Sequence, residues 1–176
     1  MDAAPSTLPP TVVVRDMRAD DLAAVLAIQL ACYGAGFVED GVLIARRLAA
    51  SPHTGWVAEH GGTVRAYLAA YPSQRGKLTP LHGDFDVAPD ADALYLHDLA
   101  VHPDASGLGL GPRLVRHAWA HALRAGWRHS TLVSVQASVG FWERQGYAAI
   151  TPAGEDQQAR LATYPGLSVY MARRLD

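Results

Sequence analysis

One stretch of this chain combines residue types and spacings that can do chemistry. Residues 94–114, LYLHDLAVHPDASGLGLGPRL, run from an apolar strand through a turn with Gly107, Gly109 and Gly111 into the start of a helix. Glycine lacks the β-carbon that would block a sharp turn or a close approach of backbone to ligand. The start of a helix adds N–H groups and the positive end of its dipole, so the junction suits a pyrophosphate. His97 lies in the strand just before it. An ordinary imidazole is about three-quarters neutral at pH 7 and can accept a proton.

Other constellations are weaker. A P-loop needs Gly-Lys-Ser/Thr, whereas Gly111 is followed by Pro112 and Arg113. The dinucleotide fingerprint needs a small residue where Pro112 or Leu114 stands. His117 and His121 have the helical spacing of a zinc pair, but Ala118 occupies the place of the general-base glutamate and no third ligand is identifiable, so no metal is expected. Cys32 is a lone cysteine in an apolar helical pattern, better read as a small hydrophobe than as a nucleophile. There is no Gly-x-Ser-x-Gly elbow.

The elements that must position these groups follow from periodicity. Residues 11–18 read as a first strand, and Asp20 and Asp21 cap a helix that runs out at Gly34. A second helix is predicted from near Glu39 to Ala50. Residues 56–59 and 63–71 form a hairpin around Gly61 and Gly62. Residues 72–92 lack periodicity and read as a long loop, either part of a substrate entrance or a surface insertion. A strand over 94–101 leads through the glycine turn to a helix over 110–125, whose buried face is Leu110, Leu114, Val115, Ala118 and Ala122. A strand over 130–136, a short helix capped by Ser138, a strand over 147–150, a loop and a last strand over 167–173 complete the chain. The order predicts an α/β (α+β) layer fold.

The length of 176 residues suits one domain, taken here as 11–176 behind a flexible arm at 1–10. Fifteen basic and seventeen acidic side chains give a net charge of −2, with no basic stripe for nucleic acid. No apolar run reaches membrane-spanning length, and the opening lacks a secretory pattern. The expected setting is the cytoplasm, as a monomer or homodimer, with neither nucleic acid nor membrane as partner; the slight acidity tolerates a cationic small molecule such as an amine.

The run AVHPDASGLGLGPRLV resembles the acetyl-CoA motif of the GNAT acetyltransferase superfamily, a hydrophobic-x-Val-x-Pro strand end followed by Arg/Gln-x-x-Gly-x-Gly/Ala. FWERQGY, residues 141–147, is similar to the family's Phe-Tyr-Glu-x-x-Gly-Phe signature. Within the superfamily, LYLHDLAVHP is most similar to the arylalkylamine (serotonin-type) N-acetyltransferases, which carry His-x-His-x-Leu-Ala-Val-His. The resemblance implies a GNAT-like fold, a mixed and mostly antiparallel sheet of about seven strands with about four helices. It implies that acetyl-CoA is held by Leu99, Ala100, Val101, Ser106, Gly107, Leu108, Gly109, Leu110, Gly111, Pro112 and Arg113, with Gln136, Ser138, Phe141 and Trp142 alongside. The amide of Leu99 is expected to meet the thioester carbonyl. His97 matches the second catalytic histidine and Tyr95 the first.

An alkylamine with a pKa of ~10.4 is only ~0.04% neutral at pH 7, a deficit of ~4.6 kcal/mol unless a base takes the proton. Strand alternation is expected to put Tyr95, His97 and Leu99 on one face, with His97 as that base and Asp98 structural on the other face. Tyr33, Glu39 and Tyr71 are expected to line the amine pocket. Two positions depart from the family. Ser106 stands where Arg or Gln is usual, a loss that Arg113 is expected to cover. Trp142 stands where many members carry the tyrosine that protonates the departing thiolate, and Tyr33 is a candidate replacement. The rivals to a small-amine acetyltransferase are a protein or peptide N-acetyltransferase and a catalytically weak acyl-CoA sensor.

Overall fold

The computed structural model describes residues 11–34 and 36–176; the arm expected at 1–10 lies outside them. Seven strands form one sheet in the order β1-β2-β3-β4-β5-β7-β6. They are β1 Val12–Asp16, β2 Gly55–His60, β3 Thr63–Ser73, β4 Ala93–Val101, β5 His129–Ser134, β6 Ala148–Ala149 and β7 Val169–Arg174. All neighbours are antiparallel except β4 and β5. The helices are α1 Leu22–Cys32, α2 Gly41–Ala50, α3 Leu110–Arg124, α4 Val139–Arg144 and α5 Gly154–Leu161. The expected mixed sheet is present, with five helices rather than about four. The added one, α5, has no buried residue and hence no apolar stripe to announce it.

The sheet's two faces have different covers. On one face α3 buries Leu110, Leu114, Val115, Ala118 and Ala122, the stripe read from its sequence, against Ala66, Leu68, Leu94 and Leu96. On the other face Val25 and Ile28 of α1 and Ile44 of α2 pack with Val57, Tyr67 and Ala100. A third cluster on that second face gathers Tyr71, Leu78, Tyr95, Tyr164 and Tyr170 beneath residues 74–92. That segment is anchored by its own side chains: Phe85 stacks on Tyr71 with ring centroids 4.4 Å apart, and the Tyr71 hydroxyl lies 2.5 Å from Thr79 Oγ1. It walls the molecule and does not project as an insertion.

Two boundaries shift from expectation for identifiable reasons. Asp20 and Asp21 form a short 3₁₀ turn ahead of α1, because the Asp21 carboxylate accepts the Arg18 amide at 2.8 Å and pairs with Arg15 at 2.8 Å. The cap of α2 is Asp40, whose side chain accepts from the Val42 amide at 2.7 Å, so Glu39 stays outside the helix.

The decisive irregularity is in β4. Ala69 pairs with Asp98 and Ala70 with Leu96, so His97 has no partner on β3. This is a β-bulge, which resets the side-chain alternation beyond it. Leu94, Leu96, Leu99 and Val101 pack on the α3 side, while Tyr95 and Ala100 belong to the clusters of the opposite face. Asp98 reaches Tyr33 and Tyr67 on that opposite face, and His97 packs against Phe85 and Tyr95 there. The expected grouping of Tyr95, His97 and Leu99 is therefore corrected: Leu99 lies on the other side, and Asp98 shares the face of His97.

Candidate active site

β4 and β5 pair only from Ala93 with His129 to Leu96 with Leu132, and then part. Their separation opens a cleft of about 730 Å³. Its lining comes from both faces of the sheet. Gly107, Gly109, Leu110, Gly111, Phe141 and Trp142 belong to the α3 side, while Tyr33, Phe37, Glu39, Leu81, His97 and Tyr164 belong to the other. The cleft passes through the sheet, with His97 in its wall.

On the α3 side, Gly107 and Gly109 have φ of +81° and +69°, the left-handed region that glycine enters without strain. No atom lies within 4 Å of where a side chain at either position would begin. Gly109 caps α3, whose first turn leaves N–H groups without helical partners, and Pro112 fits there because it needs no donor. Ser106, Val101, Gln136 and Ser138 also line the cleft, Gln136 with φ of +50°. Ala100, Leu108 and Arg113 do not. Ala100 faces α1, while Leu108 and Arg113 are exposed. The basic lining residue is instead Arg144 of α4, which sequence reasoning missed.

On the other side the polar groups form a buried chain. Arg47 pairs with Glu39 through two contacts, one of them Arg47 Nη2 to Glu39 Oε1 at 2.8 Å, and donates to the Gly83 carbonyl. The His82 amide donates to Glu39 Oε1 at 3.2 Å, and Glu39 Oε2 meets His97 Nε2 at 3.2 Å. Burial opposes ionisation of Glu39, yet His97 and Arg47 hold its carboxyl well below the usual carboxylate range. Gln29 of α1 accepts the Glu39 amide at 2.7 Å and so pins its backbone.

Asp98 forms the second buried group. The Tyr33 hydroxyl donates to its Oδ1 at 2.6 Å and the Tyr67 hydroxyl to its Oδ2 at 2.5 Å. Burial raises the Asp98 carboxyl, against the pull of these phenols. Burial and the nearby Asp98 push the Tyr33 phenol well up, so Tyr33 is a poor acid and its proton is directed into the protein. Tyr164, the other phenol lining the cleft, donates to the Thr79 carbonyl at 2.8 Å. Trp142 is buried, edge-on to Phe141 and Tyr147, and lines the cleft where the signature's tyrosine is expected.

Tyr95 and Tyr71 are fully packed in the third cluster and line no part of the cleft, because residues 74–92 cover them. His117 and His121 sit edge-on to Trp56, outside the cleft. The Cys32 thiol contacts the Val101 carbonyl at 3.1 Å, and burial pushes its pKa up. Among the described residues, no helix is long and apolar enough to cross a membrane.

A family model described as the acetyltransferase (GNAT) family matches residues 22–147. No curated protein sequence matches the chain. Solved structures do. The GphF GNAT-like decarboxylase in complex with isobutyryl-CoA shares 19% identity at a TM-score of 0.73, over 93% of this chain and 100% of that one. The Escherichia coli ribosomal-protein-S18-alanine N-acetyltransferase shares 16% at 0.66, over 94% and 95%. Arabidopsis thaliana Naa50, in complex with the bisubstrate analogue CoA-Ac-MVNAL, shares 12% at 0.65, over 92% and 97%. At these identities the structural likeness shows the fold alone.

Proposed function

The chain belongs to the GNAT acetyltransferase family, and we propose that within it the protein moves an acetyl group from acetyl-CoA directly to a primary amine of the small arylalkylamine class. The observation that carries this reading is a single cleft with a glycine-lined helix start on one face of the sheet and His97 on the other.

The residues of the α3 side fit the coenzyme. Gly107, Gly109 and the first turn of α3 offer open space and N–H groups to a pyrophosphate, Phe141 and Trp142 would hold the arm of the coenzyme, and Arg144 is a cation in this wall. The coenzyme, when bound, supplies an acetyl thioester. His97 accepts the proton of the incoming amine, and the Leu99 amide orients the carbonyl to be attacked. Phe37, Leu81 and Tyr164 give the acceptor end an apolar and aromatic lining suited to an aryl group. Leu81 of the anchored segment 74–92 walls that end, which favours a small amine over a peptide.

A second reading, an acyl-CoA-binding protein with slow turnover, is favoured by Trp142 and by the commitment of both lining phenols, Tyr33 and Tyr164, to protein acceptors. One assay separates the readings. Thermal shift with acetyl-CoA is followed by thiol release against arylalkylamines, peptides and a carboxyacyl-CoA, the last because GphF is described as a decarboxylase. Release with arylalkylamines supports the proposal. Release with peptides alone, or loss of CO₂ alone, replaces it, and shift without release supports the slow binder. No shift removes every coenzyme reading.

A further inference from the structure

Glu39 lines the cleft, as an amine-binding carboxylate would, but its oxygens are already in use. Oε1 takes Arg47 and the His82 amide, and Oε2 takes Arg47 and His97 Nε2. A carboxylate offers about four lone-pair sites, so these four contacts leave little for a substrate ammonium. Its side chain is 4% exposed and that of Arg47 is 4% exposed. Every neighbouring element also fixes it: Gln29 of α1 holds its amide, Arg47 of α2 its carboxylate, and the 74–92 segment contributes the His82 amide.

A carboxylate held ionised by a guanidinium can only accept. Its 3.2 Å contact with His97 therefore requires the proton of the neutral ring to sit on Nε2. Nδ1 is then the nitrogen with the free lone pair, and Nδ1 is the buried atom of His97 that has no hydrogen-bond partner among the described residues.

We propose that Glu39 is a positioning residue that fixes the tautomer and the orientation of His97, leaving Nδ1 as the nitrogen that takes the amine proton. This rests on the reading of His97 as the base. In the step, the amine N–H bond breaks, an Nδ1–H bond forms, and the ring becomes an imidazolium beside the Glu39 carboxylate. The proton passes to solvent once product has left. Arg47 also donates to the Gly83 carbonyl, so one side chain ties the Glu39 carboxylate to segment 74–92.

Two measurements test this. Nitrogen-15 NMR of the histidine rings in the whole protein at a pH where His97 is neutral is expected to show Nε2–H; an Nδ1–H ring overturns the proposal. For Glu39→Gln, kcat is expected to fall about 10- to 100-fold, the scale of a misplaced reacting group, with the amine KM changed less than about threefold. A raised KM with unchanged kcat would mark a substrate contact and overturn it. Glu39→Asp, which keeps the charge, is expected to recover part of kcat, and the NMR result stands even if Glu39→Gln fails to fold. His97→Gln serves as control. If that variant keeps wild-type turnover, the base reading fails, while the ring tautomer still decides the Glu39 to His97 geometry.

Discussion

His97 and Asp98 are adjacent in the chain and lie on the same side of the sheet, because the bulge in β4 leaves His97 without a partner on β3. Asp98 is spent on Tyr33 and Tyr67, which leaves His97 as the neighbour proposed to exchange protons with substrate. Replacing His97 by Gln is expected to lower kcat at pH 7 by about 10²- to 10⁴-fold, the range of a general base. Activity should return as pH rises toward the amine pKa of ~10.4, where the acceptor sheds its own proton. A pH–rate profile with an unchanged shape would contradict the role.

A substitution at Gly111 is expected to separate folding from coenzyme binding. A β-carbon there would meet Val101 and Phe141 at 3.6 and 3.7 Å, ordinary contact, and the position is helical. Gly111→Ala is expected to leave the free protein as stable or up to about 1 kcal/mol more so. Its methyl would stand in the cleft wall, and acetyl-CoA binding is expected to weaken by about 1 to 3 kcal/mol, the scale of overpacking a fitted site. Calorimetry and a melting curve check the two halves.

Ser106 is exposed at the wall of the cleft, where the family's charged or amide side chain is absent. Ser106→Arg is expected to tighten acetyl-CoA by about 1.5 to 3 kcal/mol, roughly tenfold or more in Kd, through a charged hydrogen bond to phosphate. Titration calorimetry showing no gain would mean that Arg144 already fills that role.

Arg46 and Arg47 are adjacent on α2, and their loss should differ sharply. Arg46 pairs with Asp84 at 3.0 Å with both side chains more than half exposed, at 57% and 64%. Arg46→Ala is expected to cost under about 1 kcal/mol. Arg47→Ala leaves the Glu39 carboxylate buried and unpaired and is expected to cost about 3 to 5 kcal/mol in urea unfolding.

Glu39 also gives stability a pH dependence of definite sign. Its carboxyl is held below the ordinary value of 4.5, so its contribution is complete above that pH and is lost as pH falls below it. The stability difference between wild type and Glu39→Gln is therefore expected to shrink between pH 5 and about pH 3. Urea curves at those pH values test this, and a constant difference would contradict it.

What could be read from the sequence was what is local. Gly107 and Gly109 announce their backbone by lacking a side chain, and the α3 stripe from Leu110 to Ala122 repeats at helical period and is buried as expected. The bulge at His97 is a matter of register between β3 and β4, which no single strand encodes, so simple alternation puts Leu99 and Asp98 on the wrong faces. Arg47 carries no local sign of burial, because its partner Glu39 lies beyond the helix cap and Gly83 is 36 residues away. Tyr164 lines the cleft from a place 85 residues along the chain from Thr79, whose carbonyl it meets, a contact that no local pattern announces. α5 presents no apolar stripe to read.

The parting of β4 and β5 bears on the kinetics as well as on the chemistry. A passage lined from both faces of the sheet would let two reactants enter by separate routes, so that neither has to depart before the other arrives. Initial rates measured at several concentrations of each would then give intersecting rather than parallel reciprocal lines. Each product would also inhibit through its own half of the passage.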